Sequence, residues 1–240
     1  MKHILITGAT GGIGKSIAKL LAKEDTFLYL QYHSNEEAKK ELETLPGKKK
    51  FFKVDLSKAE EILPFCNALE KEKIDIFIHS PGAGIVNTEF VKKEWGEFEK
   101  HLTVQVQSFF TIVKMILPSM KEEKKGRIVA IATEYTQGRP PERLSDYVTA
   151  KYALVGLCKS LAGEIGKFGI TVNCVSPGIL ETNLTKDIPR KFFEIVANQT
   201  PLKRIAAAED VAQLVLFFCS EKAGFITGEN VLVDGGYVMR

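Results

Sequence analysis

Apolar residues in this chain fall into short continuous runs, separated by longer stretches where they recur every three or four positions. Ile4-Leu5-Ile6, Ile76-Phe77-Ile78 and the run from Ile128 to Ala132 are apolar at consecutive positions, as strands covered on both faces are. Ile13, Ile17, Ala18, Leu20 and Leu21 instead repeat at helical spacing. The pattern predicts strands over 4–7, 27–31, 50–55, 74–80, 127–132, 171–177 and 230–233. It predicts helices over 12–23, 36–44, 59–71, 95–120, 146–167 and 207–219. Strand–helix alternation along the whole chain implies an α/β fold in a single domain over 1–240, a doubly wound parallel sheet of about seven strands with helices on both faces. Ligands of such sheets bind beyond the carboxyl ends of the strands, so the residues just past each strand are the ones to inspect.

The first strand runs into Thr7-Gly8-Ala9-Thr10-Gly11-Gly12-Ile13-Gly14. A glycine turn between a strand and a helix is the context that makes a phosphate site. Gly8 allows the tight turn, while Gly12 and Gly14 keep side chains away from a pyrophosphate and from the sheet. The helix that follows aims unpaired N–H groups at the ligand. A glycine-rich turn that binds nothing is the plain alternative. The second strand ends in Tyr32-His33-Ser34-Asn35, and no acid follows until Glu36. A carboxylate there would bind the adenosine ribose and repel a 2′-phosphate, so its absence favours NADP(H), with NAD(H) still possible. Asp55 and Ser57, past the third strand, are also natural helix caps. Tyr147 and Lys151 sit four apart on one helical face. A lysine ammonium beside a phenol stabilises the phenolate, which brings the tyrosine into range for general acid–base work.

The TGxxxGIG spacing, the YxxxK pair, and Asn173-Cys174-Val175-Ser176-Pro177-Gly178 resemble the short-chain dehydrogenase/reductase family. So do the closing Ile226-Thr227-Gly228 and Asp234-Gly235-Gly236. The overall pattern is most similar to 3-oxoacyl-(acyl-carrier-protein) reductases. The resemblance implies a Rossmann-type fold and a hydride passed between a nicotinamide and a carbonyl or hydroxyl carbon. Tyr147 is then the general acid/base, Thr133 the hydroxyl that holds the substrate oxygen, and Lys151 the group that holds the nicotinamide ribose. Gln105 falls where the family carries an asparagine that braces a proton relay, and it serves either that role or plain packing. Gly8, Thr10, Gly12, Ile13 and Gly14 would contact the pyrophosphate. His33, Ser34, Asn35, Asp55 and Leu56 would contact the adenosine half, and Ser80, Pro81, Gly82, Pro177, Gly178, Ile179 and Thr182 the nicotinamide half. The region 181–200, with Pro189, Phe192, Phe193, Ile195 and Val196, resembles a substrate lid. The family commonly forms homotetramers.

Three positions depart from the family pattern. His79-Ser80-Pro81-Gly82 stands where Asn-Asn-Ala-Gly is usual, Gln105 replaces an asparagine, and Thr133 a serine. They keep a second reading open, a non-catalytic dinucleotide-binding protein acting as a sensor or assembly partner. His79 reads as a hydrogen-bonded substitute for a sheet-bracing asparagine rather than as a base. Glu134 reads as a solvent-facing loop residue.

Composition narrows the partners. A net charge of +3 gives no argument for nucleic acid. The lysines at 48–50 and within 121–125 read as solvated loops, although Lys124, Lys125 and Lys167 would suit an acidic carrier protein. Cys66, Cys158, Cys174 and Cys219 form no CxxC pair and read as core thiols, with no metal site. Met1-Lys2 leads directly into the first strand and no apolar run approaches the length of a membrane span. A soluble, cytoplasmic protein with no membrane partner is the expectation.

Overall fold

The computed structural model describes residues 1–182, 185 and 188–239. Strands β1 (Lys2–Thr7), β2 (Thr26–Tyr32), β3 (Lys48–Lys53), β4 (Ile76–His79), β5 (Gly126–Ile131), β6 (Ile170–Pro177) and β7 (Asn230–Val233) pair in parallel throughout. Their order is β3-β2-β1-β4-β5-β6-β7. The sheet grows one way from β1 to β3 and the other way from β4 to β7. The crevice between β1 and β4 is therefore the switch point at which such sheets bind ligands.

The helices are α1 (Gly12–Leu21), α2 (Glu36–Glu43), α3 (Ala59–Leu69), α4 (Trp95–Leu102), α5 (Ser108–Glu122), α6 (Ser145–Ile165), α7 (Arg190–Gln199) and α8 (Ala208–Phe218). Strand alternation divides the core. Leu5, Phe77 and Ile128 meet Phe109, Ile112, Leu154 and Cys158 of α5 and α6. Ile4, Ile6, Val129 and Val175 meet Ile17, Val211, Val215 and Phe218 of α1 and α8. Two buried faces are why the central strands are apolar at every position. Each such side chain contributes about 1.5–3 kcal/mol by leaving water, so both helical layers are fixed by the sheet they cover.

The structure corrects the sequence expectations at two places in the fold. The helix expected over 95–120 is interrupted by a π turn over Thr103–Gln107. Ser108 N–H bonds Thr103 O, five residues back, and the Ser108 hydroxyl takes the Val104 carbonyl at 2.7 Å. The lysines at 48–50 are part of β3 rather than a loop; β3 is an edge strand, and charged side chains discourage pairing with another chain there. The region expected to be a lid contains α7, with Phe193 and Val196 buried and Phe192 and Ile195 exposed. Positions 183, 184, 186 and 187 of that region lie outside the described residues.

Candidate active site

The glycine turn closes on itself. Gly8 has φ +66°, and a Cβ there would lie 2.3 Å from Ser80 O. A Cβ on Gly14 would lie 2.2 Å from Gly8 O, so Gly14 serves the turn's own packing more than ligand access. Gly12 faces outward towards Thr182, whose Cγ2 would be 3.0 Å from an added Cβ. The Gly11 cap gives α1 no side-chain hydrogen bond and no acid occupies its first turn. The turn is held from β2 by Gln31, which sequence reasoning passed over. Its Oε1 accepts from Gly8 N at 2.8 Å and its Nε2 donates to Val54 O at 2.7 Å. An amide ending an otherwise apolar strand was the available signal. A bare helix N-terminus behind a side-chain-free turn fits a pyrophosphate.

Beyond β2, His33 and Ser34 are exposed, and Asn35 caps α2 by accepting from Ala38 N at 3.0 Å. Thr10 is buried, and its carbonyl lies 3.5 Å from Asn35 Nδ2. Glu36 is tied to Lys53 at 2.9 Å and to the Tyr32 hydroxyl. Asp55 is partly buried; burial opposes its ionisation, but the Ser57 N–H and hydroxyl hold its carboxyl below the usual range. Its Oδ2 lies 3.6 Å from His33 Nε2. Leu56 is buried beside it, and Ile13 is half-buried.

Across the crevice, Thr133 stands two residues past the end of β5, and α6 carries Tyr147 and Lys151. The Thr133 hydroxyl lies near enough to the Tyr147 phenol to favour its ionised form, and Lys151 Nζ lies 5.9 Å from the centre of that ring. Lys151 Nζ donates to Gln105 Oε1 at 2.8 Å and to Ile131 O at 2.6 Å. Gln105 Nε2 donates to Pro81 O at 3.0 Å. The Gln105 carbonyl accepts from His79 Nε2 at 3.1 Å, which makes Nδ1 the acceptor for the Thr7 hydroxyl at 3.0 Å. The π turn is what aims Gln105 at the lysine while its backbone meets His79. His79 is wholly buried with both ring nitrogens paired, and burial, then the nearby Lys151, push it down to about 3. It is a neutral brace, not a base.

The lowering of the Tyr147 phenol expected from Lys151 is not what the geometry gives. Burial pushes the phenol up to about 12, and only the nearby Thr133 hydroxyl works the other way. Burial likewise pushes Lys151 down to about 7, so its own charge is diluted. Desolvation is the largest influence on both groups. A buried ion pair not foreseen from the sequence backs the tyrosine. Lys93 Nζ lies 2.8 Å from Asp146 Oδ2, with His101 packed edge-on to the Tyr147 ring. Glu134, expected at the surface, is buried.

The remaining positions line the same crevice. Ser80, Pro81 and Gly82 follow β4, while Pro177 ends β6 and Gly178, Ile179 and Thr182 follow it. Ile179 O accepts from Ala206 N, which ties this segment to the stretch before α8. Lys124, Lys125 and Lys167 precede β5 and β6, at the amino end of the sheet, and Lys125 pairs with Glu221 at 2.7 Å. Within one chain they stand away from Tyr147. Among the described residues there is no cluster of ligands able to hold a metal ion and no helix long and apolar enough to cross a membrane.

Known proteins of similar sequence or fold are numerous. A family model described as enoyl-(acyl carrier protein) reductase matches residues 8–238. The 3-oxoacyl-(acyl-carrier-protein) reductase FabG of Thermotoga maritima is 30% identical, covering 99% of this chain and 98% of its own. The protein of that name from Buchnera aphidicola (Acyrthosiphon pisum) is 34% identical over 98% of this chain and 96% of its own. Among solved structures, levodione reductase superposes with a TM-score of 0.89 at 28% identity, over 98% of this chain and 96% of its own. The chain belongs to the short-chain dehydrogenase/reductase family, oxidoreductases that bind a nicotinamide dinucleotide.

Proposed function

We propose that this protein is an NADPH-dependent reductase of a 3-oxoacyl thioester, carried on acyl-carrier protein or coenzyme A, or of a related ketone, with Tyr147 as the general acid. The observation that carries the reading is the buried chain Pro81–Gln105–Lys151, with Lys151 Nζ 5.9 Å from the centre of the Tyr147 ring. The relatives' names, 3-oxoacyl-(acyl-carrier-protein) reductase, support the substrate class and a place in fatty acid biosynthesis. When bound, the reduced dinucleotide supplies the hydride. Thr133 and Tyr147 hold the substrate carbonyl oxygen between two hydroxyl donors. The Tyr147 proton passes to that oxygen as negative charge develops on it, a step in which general acids contribute about 10²–10⁴-fold. Lys151 has two of its donors fixed by Gln105 and Ile131, which leaves the third for the nicotinamide ribose.

A phenol held protonated at neutral pH is an acid, which favours reduction as the working direction. The preference for NADPH is supported by the β2 end, where the chain passes through His33, Ser34 and Asn35 with no acid before Glu36, and Glu36 is paired with Lys53. Two of the three departures, His79 and Gln105, are bonded to each other and through Gln105 to Lys151, which speaks for an enzyme over a non-catalytic binder. We place the substrate lid in 181–200 with α7 as its described part, and a homotetramer as the working form. A carrier protein that docks on Lys124 and Lys167 then requires a second copy, packed so that the amino end of one sheet adjoins the site of another. The test is NADPH oxidation with a carrier-bound 3-oxoacyl thioester. Lys124→Glu with Lys167→Glu is expected to raise KM for that substrate several-fold and leave a small ketone unaffected. An equal effect on both would remove the docking role.

A further inference from the structure

The segment 83–94 joins the end of β4 to α4, and its Val86, Phe90 and Val91 are exposed. Lys93, in the same segment, is turned inward. Its side chain is 1% exposed, and its Nζ lies 2.8 Å from Oδ2 of Asp146, a side chain 2% exposed. Asp146 lies in the first turn of α6 and directly precedes Tyr147. His101 of α4 completes the cluster. Its Nε2 is 3.8 Å from Asp146 Oδ2, and its ring meets the Tyr147 ring edge-on, with centres 5.9 Å apart and planes at 75°.

Burial opposes ionisation of Asp146, but the Lys93 ammonium beside it holds the carboxyl below its usual range. Burial also holds His101 below its usual range, so the lysine is the aspartate's counter-ion. Asp146 Oδ1 and His101 Nδ1 have no hydrogen-bond partner, and nothing else in the cluster takes over the lysine's part. A buried ion pair is a weak source of stability, because drying two charges offsets much of their attraction. What it does fix is a distance and a direction between two segments. Lys93 also donates to Val86 O at 3.3 Å within its own segment, so the pair joins a folded loop to the start of α6. Tyr147 thus has one charged neighbour four residues on, tied to Gln105, and another one residue back, tied to Lys93. A second ion pair, Glu89 with Arg143 at 3.3 Å, joins the same loop to the residues before α6, but it is exposed.

We propose that Lys93 and Asp146 are positioning residues for the reduction. Their pair fixes the first turn of α6 and, through His101, the edge of the Tyr147 ring, so that the phenol is aimed at the carbonyl oxygen. The inference rests on the reading of Tyr147 as the general acid. Misplacing a reacting group by about 1 Å costs up to about 10²-fold in rate, so a pair that adds little stability still governs kcat.

The test separates position from stability by removing both charges at once. Lys93→Met alone leaves a buried carboxylate unpaired and should lower Tm. Lys93→Met with Asp146→Leu leaves no charge behind and should return Tm close to that of the native chain. NADPH oxidation by that double variant, with a short 3-oxoacyl thioester, should still show kcat reduced by about 10–10²-fold. KM and calorimetric NADPH binding should change little. The solvent isotope effect on kcat should exceed the native one, because proton delivery has become the slower step. Glu89→Gln cuts the exposed tie between the same segments and should leave kcat and Tm unchanged. A double variant that recovers kcat along with Tm overturns the proposal. So does one whose Tm stays low, since the pair then serves stability. Tyr147→Phe, assayed in parallel, keeps the two readings apart. Native turnover in Tyr147→Phe removes the acid and the proposal together. An inactive Tyr147→Phe beside a fully active double variant removes the positioning role alone.

Discussion

Tyr147 and Lys151 are both forced away from their charged forms by burial, the phenol up to about 12 and the amine down to about 7. The phenol therefore holds its proton throughout the neutral range. Reduction should depend little on Tyr147 ionisation between pH 6 and 8, while oxidation of the product alcohol, which needs the phenolate, should accelerate as pH rises. Initial rates in both directions across that range check this, and an oxidation rate that falls with rising pH would contradict it. Gln105→Leu removes a lysine partner and a bond to Pro81 O together. Stability should fall by about 1–3 kcal/mol in urea denaturation, with kcat reduced more than KM rises. The Tyr–Lys pair was legible in the sequence because four residues on a helix fix one face. The Gln105–Lys151 bond was not, since it depends on a π turn 46 positions away in sequence. Glu134 was misread for a related reason. A charged residue after a strand ordinarily faces water, and only the packing of Gly178 and Asp234 shows it buried.

At the scale of the element, the glycine turn separates folding from binding. Gly14→Ala forces a Cβ to within 2.2 Å of backbone, so it should lower Tm and cofactor affinity together. Gly12→Ala meets only the Thr182 side chain, at 3.0 Å. It should fold almost normally yet bind NADPH more weakly, as calorimetry beside thermal melting would show. The brace through His79 predicts a pH dependence of stability. Its folded value of about 3 lies below the ordinary value of 6.5, so the unfolded chain binds more protons between the two. Stability conferred by the neutral ring is full above about pH 6.5 and is lost as pH falls towards 3, at up to about 1.4 kcal/mol per pH unit. His79→Asn should flatten that slope in denaturation at pH 5 and 7. Strand ends and the glycine turn could be read in advance because they depend on local backbone needs. The break in the helix expected over 95–120 could not, because apolar spacing hardly registers one extra residue in a turn.

The parallel sheet as a whole was legible because continuous apolar strands and strand–helix alternation leave few alternatives, and two covered faces are what the structure has. Assembly is less legible, because an apolar helix face suits a core and an interface equally well. Phe110 of α5 and Tyr152 of α6 stay 53% and 46% exposed in the single chain, aromatic surface that burial in a tetramer would stabilise. Phe110→Lys with Tyr152→Lys should yield species smaller than a tetramer by light scattering, with Tm lowered; an unchanged mass would move the interface elsewhere. The central claim is tested most directly by NADPH oxidation with a short 3-oxoacyl thioester, comparing the intact protein with Tyr147→Phe. Turnover that falls by about 10²–10⁴-fold in the variant, with NADPH binding preserved, is the predicted result. Turnover that persists in Tyr147→Phe would contradict its role as the acid.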